Sequence, residues 1–153
     1  MGELMRKTVA LLLFMSMLFF TSCASRSRPC DVVSSICMEY PIDATVYSST
    51  YLNGEKGYIN SEMLLNLYDT DDLPADEFAI VLYGKVGNVR EIGVFATSNG
   101  YQKLELITLI SKRIEFLDSF AEGEGFVKKY RGAVAYGFVD NAEKVISILD
   151  KVM

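Results

Sequence analysis

Cys23, Cys30 and Cys37 are the softest nucleophiles in this 153-residue sequence, and it contains no histidine to deprotonate any of them. A thiol attacks as the thiolate and needs a base or a nearby cation to reach that state. The same absence removes the commonest zinc ligand, and Cys30 and Cys37 lack the two further soft or imidazole ligands that a closed zinc site requires. Catalysis in this chain would have to run on carboxylates, Lys, Tyr, Ser or Cys.

The densest carboxylate group is Asp69, Asp71, Asp72, Asp76 and Glu77, an oxygen-rich set of the kind that binds calcium. A calcium-loop pattern counted from Asp69 puts Pro74 where glycine is needed and Ile80 where an acid is needed, so a solvated acidic turn is the better reading. Glu91 is the one carboxylate in the otherwise largely apolar run "VREIGVFAT". It suits an acid held in a cleft, but a solvent-facing residue, or one paired across a hairpin with Lys85, is the commoner arrangement. The basic stretch Lys128 to Arg131, "KKYR", fits contact with anionic wall polymer or lipid, and equally the solvent side of an edge strand. The tyrosines form no clear stripe, no Trp accompanies them, and the glycines match neither a phosphate loop nor a dinucleotide fingerprint. No catalytic residue, metal site or cofactor is expected.

The N-terminus is more informative. "MGELMRK" is a short basic start, "TVALLLFMSMLFF" carries no charge, and small residues follow around Cys23. This is the order of a secretory signal, and the uncharged run falls short of the roughly 20 residues that a membrane-spanning helix needs. Phe20, Thr21 and Ser22 before Cys23 resemble the lipobox of bacterial lipoproteins, with Phe20 in place of the usual Leu. The resemblance implies a signal peptide over 1–22 and lipidation of Cys23, which would anchor the mature chain to the outer side of the cell membrane. Two or more acyl chains hold durably where one is marginal. An uncleaved N-terminal anchor and plain secretion are the alternatives, and both also export the body. "ASRSRP" then reads as a tether. In an exported segment Cys30 and Cys37 are open to a small-loop disulfide, and two separate thiols fit as well.

Without residues 1–22, which hold Glu3, Arg6 and Lys7, the body has 13 basic and 19 acidic side chains, a net charge of −6. Such a body repels nucleic acid.

The elements that must position these groups follow from periodicity. Residues 23–59 read as a lipid-bearing tether and a loosely structured lead-in, with a hairpin expected near 45–59 from the Asn-Gly turn signal in "YLNGEKGY". "NSEMLLNLYD" opens with capping residues and continues as a short helix. "EFAIVLYG" and "VREIGVFAT" form a hairpin through "KVGN". The first strand is apolar on both faces, which places it mid-sheet or under cover on both sides. Leu106, Ile107, Ile110, Ile114 and Leu117 mark a long amphipathic helix, with Lys103, Lys112, Glu115 and Asp118 off its apolar stripe. "FVKKY" and "AVAYGFV" make a second hairpin, and "DNAEKVISILDKV" a final helix with Asp140 and Glu143 at capping-box spacing. The fold class is α+β over 60–153: an antiparallel sheet of two hairpins with the long and C-terminal helices packed on it, in the order α-ββ-α-ββ-α.

"FAIVLYGKVGNVREIGVF", the helix around "RIEFLDSF" and the closing "DNAEKVISIL" resemble a family of short lipoproteins from clostridial and related bacteria, classed as a domain of unknown function. The pentad Glu91 to Phe95 and the helix that follows carry most of the likeness, which covers about residues 60–150. It implies a lipoprotein and brings no activity. The expected function is therefore a non-enzymatic binding or accessory module at the cell envelope, whose partners are the membrane, through its lipid, and an envelope protein or wall polymer. A small envelope enzyme using carboxylates and a structural subunit of a membrane complex are the alternatives.

Overall fold

The structure is a computed structural model that describes residues 27–153, so Cys23 and the expected signal segment lie outside the described residues. Five strands form one sheet in the order β1-β2-β3-β5-β4, every neighbouring pair antiparallel. They are β1 (Val46–Ser48), β2 (Glu77–Lys85), β3 (Asn88–Ala96), β4 (Glu124–Tyr130) and β5 (Ala133–Val139). Among the described residues there are four helices, α1 (Pro29–Glu39), α2 (Ser61–Tyr68), α3 (Gly100–Asp118) and α4 (Ala142–Val152). The α+β class and the order of elements from residue 60 onward follow the sequence-based expectation.

The three inner strands, β2, β3 and β5, present apolar residues on both faces because both faces are covered. Val81, Ile92, Val94 and Ala135 pack under α1 and α4, against Val32, Val33, Ile36, Val145, Ile148 and Leu149. On the opposite face Ile80, Phe95, Val134 and Tyr136 pack under α2 and α3, against Leu64, Tyr68, Leu106 and Ile110. The long and C-terminal helices thus lie on opposite sides of the sheet, giving three layers.

Residues 29–39 correct the expectation of a loose lead-in. Pro29 occupies the first helical turn, where its missing N–H costs nothing, and Asp31 complements the positive end of the helix dipole. Val32, Val33 and Ile36 then fall on one face and are fully buried against the sheet. The folded body therefore reaches back at least to α1, about thirty residues earlier than expected. The hairpin expected near 45–59 is also replaced. Val46–Ser48 pairs with β2, and the chain from Ser49 to Gly57 runs through turns, with Glu55 accepting a 2.6 Å hydrogen bond from the Leu52 N–H.

The two long hairpins close as the sequence suggests, Lys85 opposite Asn88 and Tyr130 opposite Ala133, with Gly87 and Gly132 supplying φ values of +81° and +77°. Asn60 caps α2 by accepting from the Met63 N–H at 2.7 Å. At α4 the cap is Asn141, accepting from the Lys144 N–H at 2.9 Å, instead of the Asp140 of the expected capping box. Asp140 is occupied elsewhere, on Arg90.

Candidate functional site

Arg90 and Glu91 are neighbours on β3, so pleating sends them to opposite faces of the sheet. On the α1/α4 side, Arg90 is 5% exposed and donates through Nε to Asp140 Oδ1 at 2.8 Å and through Nη1 to Asn88 Oδ1 at 2.7 Å. The nearby Tyr83 hydroxyl is buried, and burial, followed by the charges of Tyr40 and Asp140, pushes its pKa well up.

Glu91 is fully buried on the α2/α3 side, where neither solvent nor Lys85 reaches it: Lys85 stands opposite Asn88. An uncompensated carboxylate there would cost several kcal/mol, so its partners decide whether the fold tolerates it. Arg113, in the fourth turn of α3, supplies the charge: Nη2 and Nε lie 2.6 and 3.1 Å from Oε2. Oε1 accepts a hydrogen bond from the Tyr136 hydroxyl. The Tyr68 hydroxyl is 2.5 Å from the Tyr136 oxygen and 3.5 Å from Oε1. Each hydroxyl has one hydrogen. With that of Tyr136 given to Glu91, the shorter contact identifies Tyr136 as the acceptor of the Tyr68 proton.

Local structure explains how Tyr136 gets there. It stands opposite Gly93 in the β3/β5 pairing, and its ring lies across the glycine, so close that a Cβ added to Gly93 would be 2.2 Å from Cε1. The same ring stacks on Phe95 at 6.0 Å between centroids. Gly93 is therefore the gap through which a tyrosine from the next strand reaches the carboxylate. Tyr68, the last residue of α2, joins that short helix to the sheet, and Arg113 does the same for α3.

Burial raises the Tyr68 and Tyr136 pKa values well above that of an ordinary phenol, and the negative charge of Glu91 adds to the effect. Burial pulls Arg113 down, but the hydrogen bonds and charge of Glu91 outweigh it and leave its pKa raised. Both tyrosines are thus held neutral in the folded state. A raised acid pKa gives full stability below the unfolded value, near pH 10, and loses it as pH climbs toward the folded value. Alkaline titration followed at 295 nm should show part of the phenolate absorbance arriving only together with loss of the folded near-ultraviolet circular dichroism. Complete ionisation before unfolding would contradict the buried assignment of Tyr68 and Tyr136.

Above this network opens a cleft of about 390 Å³ lined by Asn66, Leu67, Tyr68 and Asp69 from the end of α2 and by Lys112, Arg113 and Phe116 from α3. Arg113 closes its floor with a side chain that is 11% exposed. Phe116 is 57% exposed, 5.1 Å from Phe120 in an edge-to-face pair, with the Arg113 guanidinium 5.5 Å from its ring.

The other residues singled out in the sequence do not join this site. Asp71, Asp72 and Asp76 are exposed, Asp69 ends α2 in the left-handed conformation at φ +48°, and Asp76 accepts from the Ser98 N–H at 2.8 Å. No group of three His, Cys, Asp or Glu able to hold a metal occurs among the described residues. Lys128 to Arg131 lie at the end of the edge strand β4 and its turn, with Lys128 3.4 Å from Asp150. Cys30 and Cys37 both fall on α1 as free thiols. Seven residues of helix separate their Cα atoms by about 10.5 Å, beyond the roughly 7 Å that a disulfide spans, so the bridge and the helix exclude each other. Cys30 Sγ instead meets the Tyr51 hydroxyl at 3.2 Å.

Sequence reasoning passed over Tyr68, Tyr136 and, most consequentially, Arg113. Its signal was present, because 106, 110, 113 and 117 follow helical spacing and Arg113 therefore lies on the same buried stripe as Leu106, Ile110 and Leu117. No family model, curated protein or solved structure matches the chain. No helix among the described residues is long and apolar enough to cross a membrane.

Proposed function

We propose that the protein is a non-enzymatic binding module held at the outer side of the cell membrane by a lipid on Cys23, and that its ligand enters the cleft between α2 and α3. The observation that carries the binding part is the cleft's floor. Arg113 is fixed from behind by a fully buried carboxylate, so one edge of its guanidinium is oriented before any ligand arrives. Preorganisation of that kind lowers the ordering cost of binding. The carboxylate itself favours binding over catalysis: Glu91 accepts from Arg113 and Tyr136, and both tyrosines are held neutral, which leaves no basic group idle in the network. The anchoring part rests on the N-terminal pattern and its likeness to a lipobox.

Two measurements test the two parts. Cells fed a clickable fatty acid should label the wild type and not Cys23→Ala, and label retained by the variant would remove the anchor. Amide exchange of the full lipidated chain in detergent should slow at residues 66–69 and 112–116 when a small-solute extract of the cell envelope is added. Unchanged exchange in both segments would contradict the cleft as the binding site.

A further inference from the structure

The cleft's two walls carry opposite charge. Lys112 and Arg113 stand on α3, and Asp69 stands on the facing end of α2, where the helix dipole adds partial negative charge. Lys112 and Asp69 make no ion pair among the described residues, and each is exposed. Arg113 spends Nε and Nη2 on Glu91, while its Nη1 has no hydrogen-bond partner among the described residues. Between the walls lie apolar surfaces, Leu67 and the open ring of Phe116.

A purely anionic ligand would meet Lys112 and the free edge of Arg113, but also Asp69. A purely cationic one would meet Asp69 at the cost of facing the other two. A ligand with both charges and an apolar branch satisfies all three. Resting on the binding reading above and naming its ligand class, we infer that the cleft takes a zwitterionic α-amino acid with an apolar side chain. The carboxylate is received by Arg113 Nη1 and Lys112, the ammonium by Asp69, and the side chain by Leu67 and Phe116. A volume of 390 Å³ is toward the lower end of small-molecule sites, roughly 300–1,000 Å³, which fits a solute of this size.

The test uses the full chain in detergent and three probes, by titration calorimetry: L-phenylalanine, N-acetyl-L-phenylalanine, which lacks the ammonium, and L-phenylalaninamide, which lacks the carboxylate. Phenylalanine should saturate one site, and each blocked probe should bind at least about tenfold more weakly, the loss of one charged contact of roughly 1.4 kcal/mol. Asp69→Asn should erase the gap between phenylalanine and its N-acetyl form, and Lys112→Met should narrow the gap to the amide. Both side chains are exposed and make no ion pair among the described residues, so neither change threatens the fold. Equal binding of phenylalanine and either blocked probe would overturn the zwitterion while leaving the cleft a binding site. Saturation by none of the three would overturn the amino-acid class, and the exchange experiment with envelope extract separately reports whether the cleft binds any solute.

Discussion

Glu91→Ala is expected to destabilise the protein by about 3–5 kcal/mol, the cost of leaving one member of a buried ion pair alone. For a domain of ordinary stability, about 5–15 kcal/mol, that is a large share of the total. The reason is geometric. Arg113 keeps its charge at any accessible pH, and its side chain is 11% exposed, so without Glu91 its Nε and Nη2 face an apolar gap. The Tyr136 hydroxyl loses its acceptor in the same step. Glu91→Gln should cost a similar amount, because the amide restores the shape and not the charge. The paired change Glu91→Leu with Arg113→Met should recover most of the loss, since apolar replacement of a whole buried pair is often neutral. Denaturant midpoints at unchanged m-value measure all three. A loss below about 1 kcal/mol for Glu91→Ala, the size found for exposed pairs, would mean that the pair is open to water.

Ile36→Ala should cost about 2–5 kcal/mol, as large-to-small changes in a packed core do. Ile36 is fully buried on α1, between the helix and the central strands, whereas Met38 on the same helix is 77% exposed. Met38→Ala should therefore change stability by less than about 0.5 kcal/mol and serves as the internal control. Equal, small effects at both positions would return residues 29–39 to a lead-in outside the folded body. The contrast also bears on the cysteines. Only if α1 is helical in solution are Cys30 and Cys37 held apart, and in that case the oxidised full chain should show no intramolecular bridge.

The hairpins and three of the four helices were legible because each had a local signal. Asn60 and Asn141 are caps, Gly87 and Gly132 are turn formers, and the stripe from Leu106 to Leu117 has helical period. Helix α1 was not, because Val-Val-Ser-Ser is a weak helix former and its helicity comes from burial of Val32, Val33 and Ile36 under the tertiary fold. Its one local clue was Pro29 just inside the start. The orientation of Glu91 was legible only in part. Apolar residues on both faces of β2 indicated a sheet covered on both sides, and a carboxylate on the next strand of such a sheet must then be buried and paired. Which cation pairs with it depends on how α3 is placed over β5, a long-range contact that no window of sequence contains. The cleft is of the same kind, since its walls come from helices separated by the whole β2–β3 hairpin.

The ion pair that fixes Arg113 beneath the cleft has a spectroscopic signature. In the ¹H–¹⁵N spectrum of the full chain at neutral pH, the Arg113 Nε–H, assigned by its disappearance in Arg113→Lys, should give a sharp signal in slow exchange with water. It should broaden into the solvent-exchanging set in Glu91→Gln. An Arg113 Nε–H that exchanges as fast as a free guanidinium in the wild type would contradict the buried pair, and with it the preorganised floor on which the binding proposal stands.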